Sequence, residues 1–548
     1  MKKSLLFKVI LLVVAFSFVL AACGPAATAE EPAAEEAAAE EAAPAEEAEA
    51  EEAEAEEAAE PTKIRVAVQV DVDTWDHHGN TTIAVANLVD YMTETLVEVE
   101  PDGTIIPWLA KDWEISEDGL EYTFYLRDDV TFHDGTPFNA EAVKANIDRI
   151  SDPDVEVADA YPYDQITKIE MPDEYTIKWY LDTPISSFLE SMLQTNFSMV
   201  SPTFVAPGSD MYTAIGNKNG TVGTGPYVYE SFSPGDKAVL VKNDNYWGEE
   251  PYYDIVEFYV VPDPATRETM LLAGDVDVAV LPPITDLPAL EANPDVDVVS
   301  VPSNRFLYVA FNQDVELLQD QRVRQAINYA VDKEAINKNV MFGTGTLMNS
   351  PMPSMFFGWC ETGFYEYDPE KAKELLAEAG VAEGTEIEFW APTSRYVQDF
   401  QVAEAISGYL ADIGLVAVPQ TFEWSSYINS VLNIPENRED RPDMYMLGWG
   451  GTAYHGYHTM YLYTTDGFFN GHNYSNPEVD ELAAAAIAEP DREKSAETYC
   501  KINNILWEEA PILFLHTQSY TVAHNSDITG ISGSADEKFF TVGAHPVE

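Results

Sequence analysis

Apolar and polar positions along this chain follow two different periods. Leu120, Tyr122, Phe124 and Leu126 alternate with Glu121, Thr123, Tyr125 and Arg127, which is the period of a strand buried on one face. Asp118-Gly119 before it and His133-Asp134-Gly135-Thr136-Pro137 after it are turn residues. The spacing then changes. Val143, Ile147 and Ile150 fall on one face of a helix from Ala140, with Asn139 as its cap and Glu141 near its positive end. Residues 64–70 predict a first strand, followed by a polar and aromatic loop over 71–80. From Arg305 onward the two periods take turns. A strand over 306–312 precedes a helix from Asp320, with Val323, Ile327 and Ala330 on one side. Asp368-Pro369-Glu370 opens a helix that ends at Gly380, and a strand over 386–390 follows. A second round runs through a helix near 398–413, Gly414 and a strand over 415–419, and another strand spans 444–447. Strands alternating with helices predict an α/β fold.

The N-terminus is a different kind of segment. Lys2, Lys3 and Lys8 flank an apolar run over 5–20 that ends in Leu20-Ala21-Ala22-Cys23. A basic head, an apolar core and a small-residue exit are the parts of a secretory signal peptide over residues 1–22. The run is short for a membrane span, the alternative for such a stretch. Cys23 after Leu-Ala-Ala resembles a bacterial lipobox, so it is the expected lipid attachment point and mature N-terminus. From Cys23 to residue 60 the chain is nearly all Ala, Glu and Pro, with fifteen Glu and no basic residue. Such a segment buries no core and reads as a solvated tether, about 50 Å long if helical and about 120 Å if extended. No later segment is apolar enough to cross a bilayer.

Removing three signal lysines and fifteen tether glutamates from the net charge of −66 leaves −54 on residues 61–548. That charge excludes nucleic acid as a partner and docking flat on anionic lipid. It favours cationic ligands or reflects adaptation to salt. Beyond Cys23, the cysteines are Cys360 and Cys500, a candidate disulfide in an oxidising compartment. The 488 residues of this part exceed one ordinary core, so two or more lobes are expected. The Gly-rich run Val222-Gly223-Thr224-Gly225-Pro226-Tyr227 is no phosphate loop, because no Lys-Ser or Lys-Thr follows. No cofactor is expected.

Residues 109–143, LAKDWEISEDGLEYTFYLRDDVTFHDGTPFNAEAV, closely resemble the signature of the family 5 extracellular solute-binding proteins, peptide and nickel receptors of ABC importers. GTGPY over 223–227 and the Asn-Tyr-Trp element ending at Trp247 match the family as well. So do QRVRQAINYAVDK over 321–333, YDPEKAKELLAEAG over 367–380, and the Asn473 to Asp480 motif. The ordered matches run from residue 64 to about 515. The resemblance implies a two-lobed periplasmic-binding-protein fold, type II-like, with the ligand cleft between lobes. Lobe one would comprise residues 61–302 and 511–548, with an inserted subdomain over about 101–221. Lobe two would be 303–510, with crossings near 304–312 and 509–515. It also implies an extracytoplasmic receptor, held to the cell membrane by lipid at Cys23, that delivers its ligand to the permease subunits of an ABC transporter.

Three loops carry residues suited to a ligand cleft. Trp75-Asp76-His77-His78 follows the first strand, at a strand end of the kind where α/β clefts lie. Arg395 and Tyr396 follow the strand ending at Trp390, and Arg395 resembles the arginine that holds a ligand carboxylate in dipeptide-binding members. The third loop contains Trp449, Gly450, Thr452 and Tyr454, with Trp424 upstream. Glycines beside Trp449 let its backbone approach a ligand, as in β-augmentation by extended peptides. Trp75 and Trp424 have a plainer reading as packing, and Arg395 as the partner of a surface carboxylate. The expected ligand-binding set is Trp75, His77, Arg395, Tyr396, Trp424, Trp449, Gly450, Thr452 and Tyr454. Where peptide-binding members place an amine-anchoring Asp three residues after the Trp, this chain has Thr452, which leaves a neighbour such as Asp76 as the candidate substitute. Peptide is the expected ligand and oligosaccharide the alternative. His455, His458, His77 and His78 raise nickel, but their spacing matches no helical metal site. A secreted hydrolase is disfavoured, since neither a GxSxG elbow nor an HExxH helix occurs.

Overall fold

The molecule is organised by two long antiparallel strands, Val296–Phe311 and Ile512–Asn525, which pair along most of their length. The structure is a computed structural model. It describes residues 60–547 apart from 73, 80–82, 101–103, 156, 158–159, 206, 208–219, 394, 423, 432–440, 451–453 and 468; the side chains of 84, 424–426 and 429 also lie outside the description. The tether, Cys23 and Thr452 are therefore outside the described residues.

Each end of the paired strands extends into its own half of one eleven-stranded sheet. On one side Val278–Val280 joins Ile512–Asn525 and leads through Lys63–Val68 and Ile255–Val260 to Lys237–Lys242 and Tyr227–Ser233. On the other, Met444–Trp449 joins Val296–Phe311 and leads through Phe389–Trp390 to Pro419–Gln420. The registers shift between Pro302 and Phe306 and again between Leu307 and Tyr308. Such irregularities bend a strand and increase its local twist.

The alternating stretch read from the sequence is the strand Glu121–Leu126, inside a separate four-stranded antiparallel sheet with Ala110–Ile115, Thr176–Leu181 and Ile166–Asp173. Tyr122, Phe124 and Leu126 are buried in its core with Trp179. Helix Ala140–Ile150 packs there through Val143, Ile147 and Ile150, and Asn139 Oδ1 accepts the Ala142 amide at 3.0 Å. His133 and Asp134 are structural. The His133 amide donates to the Gly223 carbonyl, and its Nε2 lies 3.0 Å from the Gly225 carbonyl. Asp134 accepts from Ser201 and Thr203. The two glycines are required here because a Cβ at Gly223 or Gly225 would meet the Met92 backbone within 3 Å. The Tyr-Trp element is also explained. Buried Glu94 accepts from Trp108, Thr224, Tyr246 and Trp247 at 2.7–2.9 Å.

Several sequence expectations shift. The first strand ends at Val68, and the strand expected over 306–312 is only the second half of the sixteen-residue Val296–Phe311. Residues 385–390 and 415–420 each split into two short pieces, because Thr385–Glu386 pairs with Leu415–Val416 while Phe389–Trp390 joins the main sheet. The strand expected over 444–447 continues through Trp449, whose partner is Phe306. Trp449 thus belongs to the sheet, and the glycine loop begins at Gly450.

Candidate functional site

Trp75 and the residues after it are framework. Trp75 is 0% exposed, with Tyr229 and Phe232 edge-on at 5.3 and 5.5 Å. Asp76, 2% exposed, forms a bidentate pair with Arg149 at 3.0 and 2.5 Å. Asp76 thus already has a cationic partner in Arg149, inside the framework rather than on an open cleft. Arg149 also donates to His78 Nδ1 at 2.8 Å, so His78 is the neutral Nε2–H tautomer. His77 Nε2 lies 3.1 Å from the Ser198 carbonyl, and burial lowers the pKa of both imidazoles. This cluster joins the loop after the first strand to helix Ala140–Ile150.

The second cluster stands at the register shift of the long strands. Trp449 is 6% exposed, stacked on His458 at 4.6 Å and packed on Phe469 at 4.4 Å. Its Nε1 has no hydrogen-bond partner among the described residues. A Cβ on Gly450 would lie 2.6 Å from Arg305 Cα, so only glycine permits this approach to the strand. Arg305 Nε donates to Glu537 at 2.9 Å, and Ser303 Oγ donates to the other oxygen of that carboxylate at 2.9 Å. His458 is pushed down to about 4 by burial and then by Arg305. Tyr396 lies against Gly448, its phenol 3.3 Å from the Gly448 carbonyl, and the exposed Arg395 guanidinium stands 4.9 Å from the Tyr396 ring. Arg395, Tyr396, Trp449 and Gly450 are thus gathered on the strand Met444–Trp449 and its neighbours. Trp75 and His77 are not with them. Trp424 begins the helix Trp424–Val431, with its side chain outside the description.

A cavity of about 210 Å³ lies beside Tyr454. Val99, Glu190 and Leu193 line it from chain before residue 302, and Met355, Phe356, Phe357, Tyr454 and Arg492 from chain after 303. These two parts of the chain touch around it. Arg492 donates to Glu190 at 2.7 Å, the Ser186 amide donates to the Ile487 carbonyl, and the Ser191 and Tyr457 hydroxyls lie 3.0 Å apart. Burial, and then the Asp536 carboxylate, raise the Tyr454 phenol. His455 stacks on Phe357 at 4.6 Å and caps helix Gly456–Tyr463. Cys360 and Cys500 form a disulfide with Cα atoms 5.5 Å apart. Among the described residues no group of three or more His, Cys, Asp or Glu side chains is placed to hold a metal ion, and no helix is long and apolar enough to cross a membrane.

Sequence reasoning missed Glu190, Arg492, Phe357 and Arg305. Glu190 and Arg492 lie 302 positions apart with nothing local to link them. The Arg305 signal was available, as a lone cation at the start of the strand read over 306–312.

The model of the bacterial extracellular solute-binding proteins, family 5, matches residues 104–471. The chain belongs to this family. A family 5 relative, the heme-binding protein A of Haemophilus influenzae, is 33% identical over 76% of this chain and 80% of its own length. The glutathione-binding protein GsiB of Pectobacterium atrosepticum is 31% identical over 80% of this chain and 85% of its own. In structure, the dipeptide-binding protein of Pseudoalteromonas sp. SM9913 in complex with Met-Leu superposes with a TM-score of 0.77 at 25% identity, covering 88% of this chain and all of its own. As a family 5 protein the chain has the two-lobed α/β fold expected from the sequence, and its family consists of solute-binding receptors of ABC importers rather than enzymes.

Proposed function

We propose that this family 5 protein is the lipid-anchored extracytoplasmic receptor of an ABC importer for small peptides. One observation carries the ligand class: relatives named for glutathione and solved with a dipeptide match nearly the whole folded chain. The cavity agrees in size and character. At about 210 Å³ it is below the roughly 300–1,000 Å³ of drug-sized sites, so it suits a short peptide or one end of a longer one. Its lining mixes apolar and aromatic side chains with the Glu190 carboxylate, the Arg492 guanidinium and the Tyr454 phenol.

In this reading lobe one is residues 61–302 with 511–548, carrying the subdomain of about 101–221, and lobe two is 303–510. The strands Val296–Phe311 and Ile512–Asn525 form the hinge, supported by the register shift at Pro302–Phe306. Ligand binds the closed arrangement better and shifts the population toward it. Tyr454 borders the ligand in the cavity, Arg395, Tyr396, Trp449, Gly450 and Thr452 are proposed for parts of the ligand beyond it, and Cys23 carries the lipid. The oligosaccharide alternative loses support, because His458 covers a face of Trp449 and the core encloses Trp75.

Mass spectrometry of the small molecules released from purified protein tests the ligand class. Peptides of two to a few residues are expected. Heme or a glycan as the stoichiometric ligand would overturn the peptide reading. Mass spectrometry of the N-terminal peptide is expected to find Cys23 acylated at the mature N-terminus, and an unmodified Cys23 there would refute the anchor.

A further inference from the structure

Apart from the long strands, a second contact joins the two parts of the chain, and it borders the cavity. The Ser186 amide donates to the Ile487 carbonyl at 2.8 Å, and the Ser186 hydroxyl to the Ala486 carbonyl at 3.2 Å. These are the last carbonyls of helix Pro477–Ile487, which find no partner inside the helix. Ser191 donates its one hydroxyl hydrogen to the Ser187 carbonyl at 2.9 Å. The Tyr457 phenol, 3.0 Å away, is therefore the donor to Ser191 Oγ. Arg492 donates to Glu190 at 2.7 Å with its own side chain 54% exposed. Each side keeps a core of its own. Among the described residues, the partly buried Tyr161 alone packs against both the core of Trp179 and that of Tyr499. The contact is polar and partly exposed, the character of an interface that can part. Water can take over its hydrogen bonds when it does. Glu190 and Arg492 also line the cavity, so parting the contact opens it.

We propose that Ser186, Glu190 and Ser191 on one side and Ile487, Arg492 and Tyr457 on the other form a latch that holds the receptor closed over its ligand. The latch sets how long a ligand stays, while the long strands set the path along which the lobes part. The inference rests on the hinged-receptor reading and is independent of the ligand's chemical class. Ser186, Ser191 and Tyr457 are positioning residues, since none of the three lines the cavity. Closed and open arrangements differ by these bonds, so removing one lowers the closed-to-open ratio by roughly twofold to tenfold. All of them break in one opening. A substitution at one end of the contact is therefore felt at the other.

Hydrogen exchange of the whole protein as purified, resolved to the Ser186 amide by fragmentation mass spectrometry, reads that ratio whatever the ligand is. The amide is expected to be protected in wild-type protein, though less than the Val143 amide, which donates to the Asn139 carbonyl inside the subdomain. In Tyr457→Phe, and separately in Arg492→Gln, protection at Ser186 is expected to fall by roughly twofold to tenfold. Neither change touches a bond of Ser186, and Val143 should exchange as in wild type. Protection at Ser186 that stays below that of Val143 but is unchanged in both folded variants would overturn the latch and leave the hinged receptor standing. A wild-type Ser186 amide that exchanges like an unfolded chain would do the same. Protection equal to that of Val143 in all three proteins would show a permanent joint, overturning the latch and the hinge motion together.

Discussion

Asp76 and Glu190 show how differently two buried carboxylates are employed in one chain. Asp76 has both oxygens bonded to Arg149, which in turn donates to His78, so the group is fully satisfied. Removing one member of such a pair leaves an uncompensated buried charge. Asp76→Ala is therefore expected to lower the unfolding free energy by about 3–5 kcal/mol in urea denaturation. A loss below about 1 kcal/mol would show that the joint is solvated. The sequence marked this loop as polar and aromatic but could not show that its partner is Arg149, 73 residues on. The same residue types that suggested a cleft build a core. Trp449 is a related case. Its flanking glycines were expected to let a ligand approach, whereas at Gly450 the close neighbour is the Arg305 backbone.

Among the elements, those set by local chemistry were legible and those set by distant pairing were not. The helix starts at Asn139, Asp320 and Asp368 were readable because a side-chain oxygen accepting an early amide is a short-range requirement. Asp368 Oδ1 accepts the Lys371 amide at 2.9 Å. Asp368→Ala is expected to cost about 1 kcal/mol of stability, measured by chemical denaturation, with ligand affinity unchanged. The full length of Val296–Phe311 was hidden, since its first half alternates weakly and is fixed only by pairing with Ile512–Asn525. At the register shift of this pair, Gly450→Ala would drive a Cβ into the Arg305 backbone. Overpacking of this kind costs roughly 1–3 kcal/mol. The thermal midpoint and the ligand affinity should both fall. If both were unchanged, the approach at Gly450 would be looser than the 2.6 Å contact implies.

For the whole molecule the decisive feature is the burial of histidine in a strongly acidic protein. Burial lowers the pKa of seven of the nine histidines: His77, His78, His133, His455, His458, His472 and His516. His458 and His516 fall to about 4 and His472 to about 3. The folded state holds these groups neutral, while the unfolded chain takes up protons near pH 6.5. Their contribution is thus fully present above about pH 6.5 and is lost as the pH falls toward 4. Within that window each of His458, His472 and His516 lowers stability by roughly 1.4 kcal/mol per pH unit. Glu94, Glu98, Glu190 and Glu268, raised by burial, act in the opposite direction, but they are four against seven. Thermal midpoints are expected to drop steadily between pH 6.5 and 5, and a flat profile there would contradict neutral buried histidines. Fold class and family were legible at this scale because several long motifs recur in order along the chain. The cavity was not, because it is assembled from segments as distant as Val99 and Arg492.

Calorimetric titration of the protein with glutathione and with short peptides, followed by recovery of the ligand, tests the receptor reading most directly. Saturable one-to-one binding is expected for at least one of them, with the peptide recovered chemically intact. No measurable binding of any peptide, or recovery of hydrolysed fragments, would contradict a two-lobed protein that captures peptides for transport.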